Sequence, residues 1–231
     1  MKKQRWPKRN AASLKNTPLM KIRQHVRYRG TLEHKCNHRR LVVMTMSHCS
    51  YALLGFAGFS GSGKTTLLRQ LVSLLTQQGW RIGLIKHTHH DVEQDQPGKD
   101  SFELRHAGVT QCVLAGPKRT IVTFEHAHSQ DANLYESLAC LNLAELDLVL
   151  VEGFRHAAIN KIEVHRPHYQ KPLLYPQDPH ILALATDDTS MTAPLPVLDL
   201  NDAPAIAAQI VQWWQLGQLR GPVVQENTAT N

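Results

Sequence analysis

Gly58-Phe59-Ser60-Gly61-Ser62-Gly63-Lys64-Thr65 fills every fixed position of the phosphate-binding pattern G-x-x-x-x-G-K-[ST]. An apolar run, Tyr51 to Phe56, precedes it, and Leu67, Leu68, Leu71, Leu74 and Leu75 follow at helical spacing up to Gly79. Strand, glycine-rich turn and helix therefore stand in the order a phosphate loop needs. Glycines let backbone amides curl around an anion, Lys64 neutralises the outer phosphates, and the Thr65 hydroxyl suits a magnesium ion. Ser60, Gly61, Ser62, Gly63 and Thr66 complete the expected nucleotide-binding set, with the positive end of the following helix aimed at the same phosphates. The pattern predicts a chain that binds a nucleoside triphosphate.

Alternating strands and helices follow, and they predict an α/β domain of the P-loop NTPase kind with a mainly parallel, helix-covered sheet. Strands are expected at Arg81–Lys86, Thr110–Leu114, Thr120–Phe124, Asp147–Val151, Lys161–His165, Ile181–Ala185 and Leu195–Leu200. Lys161–His165 is charged enough to suggest a sheet edge. Helices are expected at Ser101–His106, at Asn133–Leu141, and from Asn201 or Asp202 onward with Pro204 in the first turn. Ile206, Ile210, Val211 and Trp214 are read as that helix's inward face. The domain is placed at residues 50–216, with a frayed tail at 217–231.

The net charge of +7 is misleading as a property of that domain. Residues 1–43 hold 13 of the 26 Lys/Arg with Glu33 as the single acid, so 44–231 carry 13 Lys/Arg against 18 Asp/Glu. The basic arm contains Pro7 and Pro18 and lacks hydrophobic periodicity, so it reads as disordered and not as a specific nucleic-acid module. Met44 and Met46 lie just ahead of the first strand, so residues 1–43 are expected to be a start-site artefact. No apolar run reaches transmembrane length, and no membrane partner is expected. Cys36, Cys49, Cys112 and Cys140 lack C-x-x-C spacing and read as reduced thiols. Cys36, His38, His48 and Cys49 match no ordinary zinc knuckle.

Chemistry beyond binding needs a metal-side acid and something to orient the nucleophile. Glu152 ends the apolar run Leu148-Val149-Leu150-Val151 at the position of a Walker-B acid, so it is the candidate catalytic residue and, with Thr65, a candidate metal ligand. Asp147 begins the same run, at the wrong end of the sheet. Gly153 leaves an amide free to approach a terminal phosphate. Lys86, His87, His89, His90 and Asp91 form a titratable loop at a strand's carboxyl end, where ligands of open parallel sheets lie. The histidines there suit metal binding, anion contact or a solvated loop. Asp91, Asp95 and Asp100 suit magnesium by their oxygen chemistry, while Lys99, Arg105, Lys118 and Arg119 suit a phosphorylated substrate or plain surface charge. Asp187, after another apolar strand, is a candidate reader of a guanine edge or a turn acid. Arg155 and Arg166 read as isolated.

Three segments in order with the phosphate loop resemble the B proteins of molybdopterin guanine dinucleotide biosynthesis. They are Leu84-Ile85-Lys86-His87-Thr88-His89-His90-Asp91, then Asp95-x-Pro97-Gly98-Lys99-Asp100-Ser101 with Glu103, Arg105 and Ala107-Gly108, then Leu148 to Phe154. The resemblance runs from about Leu53 to Trp214 and leaves residues 1–43 outside it. It implies a cytoplasmic, homodimeric GTP-binding adaptor with weak, Mg2+-dependent GTPase activity. Such an adaptor would assist the molybdenum cofactor guanylyltransferase that joins GMP to molybdopterin. Gly61, Gly63, Lys64, Thr65 and Thr66 would hold phosphates and magnesium, Glu152 and Gly153 would face the terminal phosphate, and the His-rich and Lys99-Asp100 loops would border the cleft. Two other readings stay open on the residues. A small-molecule kinase would share the loop but add an arginine-rich lid, and a metal-delivery GTPase would use His87, His89 and His90.

Overall fold

A computed structural model describes residues 44–45, 51–128, 131–221 and 223–224. In chain order the elements are β1 (Met44–Thr45), β2 (Ala52–Ala57), α1 (Lys64–Gln77), β3 (Ile82–Lys86), α2 (Asp100–His106), β4 (Gln111–Ala115) and β5 (Thr120–Phe124). They continue with α3 (Leu134–Ala139), β6 (Leu148–Glu152), β7 (Lys161–His165), β8 (Ile181–Thr186), β9 (Val197–Asp199), α4 (Ala203–Gln215) and β10 (Val223–Val224). Six strands form one sheet in the order β3-β6-β2-β7-β8-β9, and every pairing in it is parallel. β4 and β5 make a separate antiparallel hairpin, and β1 pairs antiparallel with β10.

β2 and residues 148–151 of β6 are apolar because helices cover both sheet faces. On one face Leu67, Leu71 and Leu75 of α1 and Ile206, Ile210 and Trp213 of α4 pack on Leu54, Phe56, Leu148 and Leu150. On the other, Leu134 and Leu138 of α3 meet Leu53, Ile85, Val149 and Val151. α3 starts where Asn133 accepts a hydrogen bond from the Tyr135 amide, and α4 where Asp202 accepts one from Ala205, with Pro204 in the first turn as expected. No helix among the described residues is long and apolar enough to cross a membrane.

Several expectations need correction. Lys161–His165 is no edge: β7 lies between β2 and β8, and all five residues are buried. Its charges are matched inside the fold, since Lys161 Nζ donates to the Ala157 carbonyl at 2.6 Å and pairs with Asp178 at 2.8 Å. Glu163 accepts from the amides of Leu174 and Tyr175 at 2.8 and 2.9 Å. Burial pushes the Glu163 carboxyl above the usual range against the pull of those two amides. On α4 the buried tryptophan is Trp213; Trp214 is half-buried and meets Trp80 edge-on at 5.0 Å. The last sheet strand spans three residues, not six. The stretch 217–221 is docked, not frayed: Leu219 is buried and its carbonyl accepts from the Leu53 amide at 2.8 Å. The basic arm 1–43, the cysteine–histidine group at 36–49 and residues 225–231 lie outside the described residues.

Candidate functional site

Parallel register brings several strand ends to one rim. Phe56 pairs with Glu152, Lys86 with Glu152, and His165 with Thr186. The phosphate loop, Lys86-His87, Glu152-Gly153, Arg166 and Asp187 therefore all leave the sheet at its carboxyl end, where β2 stands between β6 and β7.

Gly58 begins the loop at φ +142°, and a Cβ there would lie 2.4 Å from the Val164 carbonyl oxygen. Only glycine fits this close pass over β7. Ser60 and Gly61 are exposed, Ser62 is buried, and Thr65 and Thr66 stand exposed on the first turn of α1. Lys64 is the first residue of α1 and is half-buried. Its ammonium donates to the carbonyls of Gly58 at 2.9 Å and Phe59 at 2.8 Å, wrapping the loop around itself. Burial holds the Lys64 ammonium below the ordinary lysine range, Glu152 opposes that shift, and Lys86 adds to it. A cation kept partly desolvated next to backbone amides is arranged for an anion.

Glu152 is buried at the end of β6. Thr65 Oγ1 donates to its Oε1 at 2.9 Å, and Lys86 Nζ lies 3.4 Å from Oε2. The hydroxyl and carboxylate that sequence assigned to a metal thus meet across 87 residues of chain. Gly153 follows at φ +102°, where a Cβ would sit 2.9 Å from the His87 Cβ. The His87 amide also donates to the Glu152 carbonyl at 2.8 Å. The Gly153 backbone is thereby committed to a close pass with the histidine loop. His87 stacks on Phe154 at 4.8 Å and meets His89 edge-on at 4.5 Å.

Arg166 is a site residue that sequence reading passed over as isolated. Its Nε donates to the Ser62 carbonyl at 3.1 Å, and its Nη1 pairs with Asp187 Oδ2. His168 Nδ1 lies 4.0 Å from the same carboxylate. The available signal was position: Arg166 directly follows the strand β7 as Asp187 directly follows β8, but reading β7 as an edge obscured it. Beyond it, Tyr169 flanks Gly61, and Lys171 and Arg155 lie 5.9 and 5.7 Å from the centroid of Phe59.

Other candidates are not drawn together. Lys99 caps α2 and Asp100 begins it, and among the described residues no hydrogen bond or ion pair ties either to the phosphate loop. Arg105 is engaged by Glu93 and Glu125. Asp91 and His90 are exposed, as are Lys118 and Arg119 beside the hairpin turn. Asp95 faces a cavity of about 230 Å³ next to β4 and β5, shared with Glu93 and Arg105. Among the described residues no three His, Cys, Asp or Glu side chains converge to hold a metal.

The family profile described as molybdopterin guanine dinucleotide synthesis protein B, MobB, matches residues 53–187. The molybdopterin-guanine dinucleotide biosynthesis adapter protein of Escherichia coli (strain K12) is 42% identical over 166 residues, spanning 71% of this chain and 93% of that protein. Its namesake in Haemophilus influenzae (strain ATCC 51907 / DSM 11121 / KW20 / Rd) is 40% identical over 70% of this chain and 88% of its own length. The crystal structure of Bacillus subtilis MobB superposes with a TM-score of 0.57 at 24% identity, covering 74% of this chain and 99% of that one, and so supports the fold. A profile match over more than half of the sequence and a close relative aligned along nearly its whole length place this chain in the molybdopterin guanine dinucleotide synthesis protein B family.

Proposed function

We propose that this chain is a GTP-binding adaptor with slow, magnesium-dependent GTPase activity, acting in the cytoplasm as a homodimer. Its role is to assist the guanylyltransferase that joins GMP to molybdopterin. The observation that carries the nucleotide part is the contact of Thr65 Oγ1 with Glu152 Oε1 beside a glycine-rich loop already cupped by Lys64. Two oxygen donors of this kind, one on the loop's helix and one at the end of the neighbouring strand, match the preference of magnesium for oxygen. The buried Ser62 hydroxyl, without a hydrogen-bond partner, adds a polar group to the cradle. When bound, magnesium supplies charge neutralisation on the phosphate oxygens. Ser60 to Thr66 would hold the phosphates, Glu152 would orient the attacking water, and Lys86 and His87 would border the triphosphate.

Guanine as the base, the transferase as partner and molybdopterin as its substrate rest on the family and on the names of the relatives. A second copy of the chain has a surface to meet, since Val113, Leu114 and Val122 of the hairpin are exposed. Side-by-side titration with GTP and ATP in magnesium tests the base, and tighter GTP binding is expected. The purified chain should also co-elute with the guanylyltransferase and raise output of the guanine dinucleotide cofactor. Its own turnover should stay well under the roughly 10 per second typical of enzymes. Rapid phosphorylation of a small molecule with no response to the transferase would replace this reading with a kinase.

A further inference from the structure

We infer that Arg166 positions the phosphate loop and that Asp187 acts on a bound nucleotide through Arg166, not by touching the base; the inference rests on the nucleotide-binding reading above. An anion cradle works when amides face inward and carbonyls are held outward. Three loop carbonyls have cationic holders: those of Gly58 and Phe59 on Lys64, and that of Ser62 on Arg166. Lys64 is the group a triphosphate draws toward itself, because its ammonium is a mobile point charge. Arg166 is then the holder that stays. Ser62 is buried with its hydroxyl unpartnered, so its carbonyl is the polar tie of that residue to β7's end.

The topology explains why the pair forms. β7 and β8 are parallel neighbours, and His165 pairs with Thr186, so Arg166 and Asp187 leave adjacent strands side by side. A planar guanidinium can place Nε on one acceptor and Nη1 on another at once, which an ammonium does less well. Arg166 and Asp187 are 27% and 23% exposed, so the pair is only partly screened by water. A carboxylate reading guanine uses both oxygens, one for the ring N–H and one for the exocyclic amine. Asp187 Oδ2 is already occupied by Arg166 and faced by His168. Base reading by Asp187 would break the ion pair and release the Ser62 carbonyl.

The test is a double-mutant cycle on the full chain, with GTP and ITP affinities in magnesium read by calorimetry and melting temperature read in parallel. ITP lacks the exocyclic amine that a carboxylate would recognise. Arg166→Ala should weaken GTP and ITP by one common factor, roughly 10- to 100-fold. Asp187→Asn should weaken both by a smaller common factor, and adding it to Arg166→Ala should cost nothing more. Arg166→Lys should recover only part of the loss, and melting temperatures should stay near wild type. Loss of GTP but not ITP binding in Asp187→Asn overturns the inference, as does an unchanged affinity in Arg166→Ala. If Arg166→Ala does not fold, the ratio of GTP to ITP binding in Asp187→Asn decides alone. Wild-type protein that binds neither nucleotide would instead overturn the nucleotide-binding reading itself.

Discussion

The two antiparallel strands β4 and β5 and the six-stranded sheet are held by different forces. Where α1 meets the sheet, Leu71 and Leu75 of the helix and Leu148 and Leu150 of β6 are fully buried between layers. In the hairpin and α2, Val113, Val122 and Leu104 are 62%, 51% and 59% exposed, and α2 has no buried residue. Beyond the β4–β5 ladder, what joins this part is the fork of Arg105 to Glu93 and Glu125. Ion pairs whose carboxylates are 42% and 43% exposed contribute little, whereas burial of apolar side chains dominates folding. The sheet can therefore specify itself, while the hairpin leaves apolar side chains such as Val113 and Val122 on its surface.

That contrast can be broken most directly by stability measurements. Leu71→Ala should lower unfolding free energy by about 2–5 kcal/mol through loss of buried area and creation of a cavity. Val122→Ser should change it by less than about 0.5 kcal/mol in a monomeric state. Equal losses in denaturant melts would mean that the hairpin has a core of its own. Next in size, Lys64→Ala should weaken triphosphate binding by about 100-fold, since the loop loses its cation and the tie of two carbonyls. Wild-type affinity in a folded Lys64→Ala protein would remove nucleotide binding from the sheet's rim. Glu152→Gln keeps shape and should leave binding nearly intact while hydrolysis falls about 100-fold. Unchanged turnover would reduce Glu152 to a structural role.

Val122→Asp addresses the other region. Sedimentation should show a shift from dimer toward monomer with GTP affinity unaltered, because a buried unpaired carboxylate is costly at an interface and harmless on a free surface. A dimer that survives would move the contact elsewhere. The smallest effect concerns proton binding at Lys64. Its pKa is lowered in the folded chain, so the folded state holds that proton less tightly than the unfolded one, and the resulting cost to stability disappears as pH rises through the ordinary lysine value. Glu152 opposes the shift, so Glu152→Gln should move the Lys64 titration further down, measurable from its side-chain resonances.

How much of this was legible without coordinates depended on whether a residue's partner was local. The phosphate loop, the helix that follows it and Glu152 at a strand's end could be read because glycine spacing and apolar runs are short-range signals. β7 was misplaced because Lys161 and Glu163 look like solvent-facing charges until Asp178, the Ala157 carbonyl and the Leu174 and Tyr175 amides are brought to them by the fold. Arg166 was missed for the same reason, since its partners Ser62 and Asp187 lie far away in sequence. On α4, helical period selected the right stripe through Ile206, Ile210 and Trp214, which packs on the core, but left out Trp213, the more buried of the two tryptophans. Adjacent residues on a helix are about 100° apart, and both indoles are large enough to satisfy the pattern.

The strand order also dictates when the phosphate loop can work during synthesis. β2 delivers the loop early in the chain, yet its two neighbours are β6 at 148–152 and β7 at 161–165. A nascent chain that has displayed Gly58 to Thr65 still lacks Glu152, Arg166 and the carbonyl of Val164 over which Gly58 passes. Non-local pairing of this kind is slow and leaves apolar strands exposed while it waits. A chain interrupted before β6 thus carries the complete phosphate-binding signature without Glu152, Arg166 or the strand over which Gly58 passes.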